Sequence, residues 1–251
     1  MEKVHGGDIY SYRRDIIDFS ANINPLDIKK EVRDAIAESV DTASVYPDTE
    51  YKKLREAIAE IENTCPEYIV CGNGAAEIIF NLVLAIRPQK VLLTAPAFAE
   101  YEKAVDVWES EKIFFDLSES KGFEMDEGIL KMINGVDMMF LCQPNNPTGK
   151  LIEPGLMKKI IDECSKNNVF LVIDECFLDF TGKKEEYTAA GSIEKYKNLF
   201  ILKAFTKMFA IPGIRMGYGI CSNNTVMDKI YAVRQPWSVS CTAEAAGIAC
   251  C

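Results

Sequence analysis

Two hydrophobic rhythms alternate along the chain. Across residues 28–40, 50–63 and 153–167, apolar side chains recur at i, i+3 and i+4 among charged ones, the period of a helix with one buried face. Between these stretches lie short apolar runs at 68–71, 91–94, 112–115, 138–142, 169–173 and 199–202. Several are apolar on consecutive residues, as strands are when helices cover both faces of a parallel sheet. Strand and helix alternate through the middle of the chain, so the pattern predicts an α/β fold built from βαβ units.

The unusual residues gather just after those runs. Gly72-Asn73-Gly74-Ala75-Ala76-Glu77 follows the first run and Ala95-Pro96-Ala97-Phe98 the second. Gln143-Pro144-Asn145-Asn146-Pro147-Thr148-Gly149, Asp174-Glu175-Cys176-Phe177 and Lys203-Ala204-Phe205-Thr206-Lys207 follow three of the later ones. Ligands of open α/β sheets bind outside the carboxyl ends of the strands. Five polar or Gly/Pro-bearing segments are therefore expected on one edge of one sheet.

Each segment has a chemical reading and a plainer one. The glycine turn at 72–77 leads into a helix whose free N–H groups and partial positive charge suit a phosphate, or it is only a strand-to-helix turn. It is not a dinucleotide fingerprint, because Glu77 stands where the third glycine belongs. Thr148-Gly149-Lys150 is not a P-loop, since Pro144 and Leu151 replace the required glycine and Ser/Thr. Asp174 ends a strongly apolar run, where a carboxylate is costly to bury unless paired. It either caps the next turn or holds a cationic ring nitrogen. Lys207 stands among aromatic and sulfur side chains, which disfavour an ammonium and leave a nucleophilic amine. Arg215, eight residues on, is a candidate phosphate clamp.

Composition narrows the chemistry further. The 251 residues fit one large domain or two unequal ones, with 48% hydrophobic and 26% charged residues. A net charge of −10 argues against a nucleic-acid backbone binder, which needs a concentrated basic face. No apolar run approaches the roughly 18 residues of a membrane span, and the N-terminus lacks a secretory apolar segment, so the expected address is the cytoplasm. Nine cysteines without CxxC pairs read as reduced, mostly buried thiols and not as a metal site. A single histidine, His5, removes most Ser-His and Cys-His nucleophile schemes. The remaining chemistry runs on Lys, Asp, Tyr or a cofactor.

The set GNGAAE, PAF, NNPTG, IDE, and TK followed by IPGIRMGY resembles the fold-type-I aminotransferase superfamily, which uses pyridoxal 5′-phosphate. The histidinol-phosphate aminotransferase group looks similar throughout. HGGDIY, DFSANINPL and QPWS most resemble its threonine-phosphate decarboxylases of cobalamin biosynthesis. The resemblance implies a three-layer sandwich with a mainly parallel sheet as the large domain. It divides the chain into an N-terminal arm with part of a small domain at 1–40, a cofactor-binding domain at 41–235, and the start of an interdomain helix at 236–251. By the same resemblance, Lys207 would join the cofactor aldehyde and, once freed by substrate, move protons at the substrate carbon. Asp174 would pair with the pyridinium nitrogen, Asn146 would bond the ring 3-oxygen, and Phe98 would stack on the ring. Arg215 and the backbone of Gly74, Ala75 and Ala76 would hold the phosphate. Tyr46 would reach the cofactor phosphate of a neighbouring subunit, implying a homodimer. His5, Gly6 and Gly7 would lie near the phosphate of a small phosphorylated amino-acid substrate, and Asn24 near its amino-acid group. The implied reaction is decarboxylation of L-threonine O-3-phosphate, with transamination of histidinol phosphate or a similar amine as the alternative.

Three departures from the family pattern stand out. Ala204 replaces a Ser or Thr that donates to the phosphate, a bond worth about 1–3 kcal/mol. Phe177 replaces a tyrosine that aminotransferase relatives often use on the ring 3-oxygen. The chain also ends before the rest of the small domain, with its substrate-carboxylate arginine, so the small domain is expected to be incomplete. Residues 242–251 read as the opening of a helix with no stop signal and little for its apolar face to pack on. On that expectation the chain is a shortened product or fragment that binds cofactor with doubtful turnover.

Overall fold

The computed structural model describes residues 6–11 and 16–251. Its centre is a seven-stranded sheet of β1 (Ile69–Asn73), β2 (Lys90–Ala95), β3 (Glu111–Asp116), β4 (Met138–Cys142), β5 (Phe170–Asp174), β6 (Leu199–Ala204) and β7 (Met216–Ile220), in the order β1-β7-β6-β5-β4-β2-β3. β3, β2, β4, β5 and β6 pair in parallel, while β7 runs antiparallel to both β6 and β1.

Alternate side chains of the inner strands feed two separate cores. Met139, Leu141, Leu171, Ile173 and Ile201 pack on one side with α2 (Lys52–Ile61), α5 (Pro154–Lys166) and α9 (Cys241–Cys250). Phe140, Cys142, Val172, Phe200 and Leu202 pack on the other with α3 (Gly74–Ile86), α4 (Ala99–Val107) and α8 (Asn224–Val233). The result is the expected three-layer α/β sandwich. α1 (Lys30–Ser39) packs on α9, and two single turns, α6 (Lys184–Tyr187) and α7 (Phe205–Met208), interrupt the crossovers.

Three expectations need correction. β3 is not buried on both faces: it pairs only with β2 at the sheet's edge, and all of its residues are half-buried or exposed. β7 was not expected, because Gly217 and Gly219 break its apolar run. Both glycines are required by packing. A Cβ on Gly217 would lie 2.5 Å from the Ala75 nitrogen, and one on Gly219 2.0 Å from the Phe200 ring. Finally, α9 does find a surface. Its small residues Ala243, Ala246 and Gly247 are buried, and a Cβ on Gly247 would meet Leu54 Cδ1 at 2.7 Å. Small side chains let this helix approach α1 and the sheet closely.

Candidate active site

The strand order puts the candidate residues on one edge. β1 and β6 are each antiparallel to β7, so their carboxyl ends lie together, with the start of β7 between them. The ends of β2, β4 and β5 continue the same edge.

The first element is a phosphate-sized cradle. α3 leaves β1 directly at Gly74, and no side chain caps its N-terminus; Glu77 Oε2 reaches back to the Asn73 N–H at 2.6 Å. Gly74 has φ +77°, and a Cβ there would sit 2.4 Å from Arg215 Nη2. Arg215, exposed and itself at φ +62°, therefore lays its guanidinium directly against the helix start. Its Nη1 donates to the Pro212 carbonyl at 3.1 Å. Free backbone donors and a fixed cation together favour an anion.

Lys207 lies next to that cation, on the turn of α7. Burial and then the positive charge of Arg215 push its amine below the ordinary 10.5, with the Cys176 thiol opposing. The N-terminal segment is stitched over this turn. Asn24 N–H donates to the Lys207 carbonyl at 3.1 Å, and Asn24 Nδ2 donates to the Met208 carbonyl at 2.8 Å. Asn24 thus reaches the lysine, with its amide engaged on the backbone.

Asp174 ends β5 as a buried carboxylate with two donors. Tyr101 Oη donates to Oδ2 at 2.7 Å and the Cys176 N–H to Oδ1 at 2.9 Å. Burial still raises its carboxyl above the usual range, while the Cys176 thiol, together with these two hydrogen bonds, pulls the other way. Such a carboxylate is satisfied best by a further cationic N–H. Tyr101 is held by stacking on Phe140 at 5.1 Å and by an edge contact with Phe98 at 5.6 Å.

The loop after β4 is built around its amides. Gln143 exchanges two bonds with Ile152, and Asn145 Nδ2 donates to the Pro96 carbonyl at 3.1 Å and Thr148 Oγ1 at 2.9 Å. These bonds tie the loop to the segment bearing Phe98. Asn146, half-buried, then lines a pocket of about 220 Å³ with Asn22, Phe177 and Phe180.

Other expected residues lie further out. Gly7 N–H bonds Ser20 Oγ at 2.7 Å, and Gly6 packs against the Ser20 backbone so closely that a Cβ would overlap it. His5 lies outside the described residues. Tyr46 packs at a tilt against Trp237 and is 79% exposed. Sequence reasoning missed Tyr101, although it follows Phe98 by one helical turn, and Cys176, which neighbours both Asp174 and Lys207. It also missed a buried ion cluster: Lys203 Nζ lies 2.8 Å from Glu62 and 3.6 Å from Glu175, and Tyr218 Oη donates to Glu62 at 2.8 Å.

A mainly parallel α/β sandwich with a lysine, an arginine-backed helix start and a buried carboxylate on one strand edge is the frame of a cofactor enzyme. The family described as aminotransferase class I and II matches residues 14–250, and the chain belongs to it. It is 34% identical to the threonine-phosphate decarboxylase of Salmonella typhimurium, over 98% of this chain and 70% of the relative. A histidinol-phosphate aminotransferase structure from Clostridium acetobutylicum matches with a TM-score of 0.87 and 38% identity, over 94% of this chain and 69% of that one. An L-threonine-O-3-phosphate decarboxylase structure from Porphyromonas gingivalis matches at 0.79 and 27%, over 92% and 68%. The chain thus spans about two thirds of these relatives' lengths. Among the described residues, no helix is long and apolar enough to cross a membrane.

Proposed function

We propose that the chain holds pyridoxal 5′-phosphate and serves the removal of the carboxylate of L-threonine O-3-phosphate. The observation that carries the cofactor reading is the set of three complementary groups on one edge. Arg215 lies on the uncapped Gly74 helix start, Lys207 beside it is held below its ordinary pKa, and Asp174 is buried with two donors. These fit a phosphate, a carbonyl and a basic ring nitrogen respectively. When bound, the cofactor supplies an aldehyde and an electron-accepting ring.

The chain's residues have distinct tasks in this reading. Gly74, Ala75, Ala76 and Arg215 bind the phosphate, with no hydroxyl from Ala204 to assist. Asp174 would favour a protonated ring nitrogen, and Tyr101 and the Cys176 N–H donate to its carboxylate against the burial that raises its pKa. Phe98 would cover the ring and Asn146 would bond its 3-oxygen. Lys207, neutral in a larger fraction than a solvated lysine, would be the amine that holds the cofactor and would move a proton at the substrate carbon. Gly6, Gly7, His5 and Asn24 form the substrate side, and Tyr46 serves the site of a second copy. In this reading residues 1–40 would be the arm with part of a small domain, 41–235 the cofactor domain, and 236–251 the start of an interdomain helix.

The likeness to decarboxylases in HGGDIY and QPWS and the 34% identical relative support the decarboxylase reading. The 38% identical structure named as a histidinol-phosphate aminotransferase favours transamination as the second reading. Product assays with both substrates separate them. Carbon dioxide release from threonine phosphate without a keto acid supports decarboxylation, whereas turnover of histidinol phosphate only with a keto acid overturns it.

A further inference from the structure

Tyr46 and Trp237 meet across two connecting segments, their ring centroids 4.6 Å apart and their planes 32° apart. Both remain in solvent, at 79% and 44% exposure. A pair so exposed contributes little to its own chain's core. Yet the segments that carry it are tied firmly together. Arg234 Nη2 donates to the Thr49 carbonyl, and its guanidinium lies 4.5 Å from the Tyr231 ring and 5.5 Å from the Tyr51 ring. The buried Tyr51 accepts the Val239 N–H on its hydroxyl at 3.1 Å. Asp48 caps the following helix through the N–H groups of Glu50 and Lys52.

The backbone is held where it would not rest by itself. Trp237 has φ +59° and Tyr51 φ +50°, a left-handed region that bulky residues occupy only when their surroundings impose it. The next hydroxyl, Ser238 Oγ, is buried with no hydrogen-bond partner among the described residues. These features fix the backbone around Trp237, against which the largely exposed Tyr46 ring packs.

We infer that Trp237 is a positioning residue that holds the Tyr46 ring at the angle from which its hydroxyl reaches the cofactor phosphate bound by a second copy of this chain. The inference rests on the reading of Tyr46 given above. A phenol on a free loop loses conformational freedom each time it binds; one already packed against a neighbouring ring loses less. Trp237 therefore acts on affinity only through Tyr46, and a phenyl ring in its place suffices.

The test is retention of pyridoxal phosphate by equilibrium dialysis, with sedimentation, for the full chain and for Y46F, W237A, W237F and the Y46F/W237A double variant. Y46F is expected to weaken retention about tenfold, the loss of one charge-assisted bond. W237A is expected to weaken it by a similar factor when Tyr46 is present and by less than about twofold in the Y46F background, while W237F stays within about twofold of the parent. All variants are expected to sediment as dimers. Normal retention in W237A alongside weakened Y46F overturns the positioning role and leaves the Tyr46 reading standing. Unchanged retention in Y46F overturns that reading and the inference with it. An equal W237A effect in both backgrounds, or a monomeric or unfolded W237A that W237F does not restore, makes Trp237 merely structural and also overturns the inference.

Discussion

The hydroxyl of Tyr101 donates to Oδ2 of Asp174 at 2.7 Å, joining the helix that carries Phe98 to the carboxylate at the end of β5. Both groups are buried, so the bond is made in a medium where an unmatched carboxylate is costly. Tyr101→Phe keeps the ring stacked on Phe140 and removes only the donor. A lost bond to a charged group is worth about 1–3 kcal/mol, so retention of pyridoxal phosphate should weaken about tenfold or more with the fold intact. Dialysis alongside circular dichroism measures both.

Lys207 should show its depressed pKa in the pH dependence of carbonyl addition. Its neutral amine accumulates as pH rises through a value below 10.5, because burial and then Arg215 disfavour the ammonium. With pyridoxal, which lacks the phosphate, the rate of forming a borohydride-reducible bond should therefore reach half its maximum below pH 10.5. Arg215→Gln removes the neighbouring positive charge and should move that midpoint upward, although burial remains. An unmoved midpoint would separate the two residues electrostatically.

The two β7 glycines should fail differently. An added methyl at Gly217 meets the Ala75 backbone, and one at Gly219 meets the Phe200 ring in the core. Both Gly217→Ala and Gly219→Ala should cost about 1–3 kcal/mol through overpacking. Only Gly217→Ala displaces the first turn of α3, so it alone should also weaken cofactor retention. Urea unfolding and dialysis distinguish the effects.

The buried cluster of Glu62, Lys203 and Glu175 is expected to govern stability. Burial pushes Glu62 up, but Lys203, Lys184 and Tyr218 bring its carboxyl below the ordinary 4.5. Burial likewise lowers Lys203, and Glu175 and Glu62 return it above 10.5. Glu62→Leu leaves a buried ammonium with Glu175 alone and should cost about 3–5 kcal/mol near neutral pH. The carboxylate's contribution is fully present above 4.5 and lost as pH falls through its lower folded value. The ammonium's is present below 10.5 and lost as pH rises through its higher one. The deficit in urea midpoint should accordingly narrow in acid.

Much of this site was legible because its residues occupy strand ends, where chain order alone predicts their meeting. Asp174, Lys207 and the Gly74 turn each follow an apolar run, and the parallel sheet does the rest. β7 was hidden because glycines demanded by close approach look like loop residues. Tyr101 was hidden because a tyrosine on an amphipathic helix reads as core until its hydroxyl is seen on a carboxylate 73 residues away. The Lys203–Glu62 pair joins residues 141 apart, and nothing local marks either as buried. Trp237 was legible as a motif but not as a ring partner of Tyr46, since the two lie on separate connections.

The central claim is that Lys207 is the amine of an assembled pyridoxal phosphate site in this chain. Adding the cofactor, recording the visible absorbance, reducing with borohydride and mapping the modified residue tests it directly. A reducible chromophore with the label on Lys207 alone, lost in Lys207→Ala, is expected. Absence of the chromophore, or a label scattered over surface lysines, would contradict it.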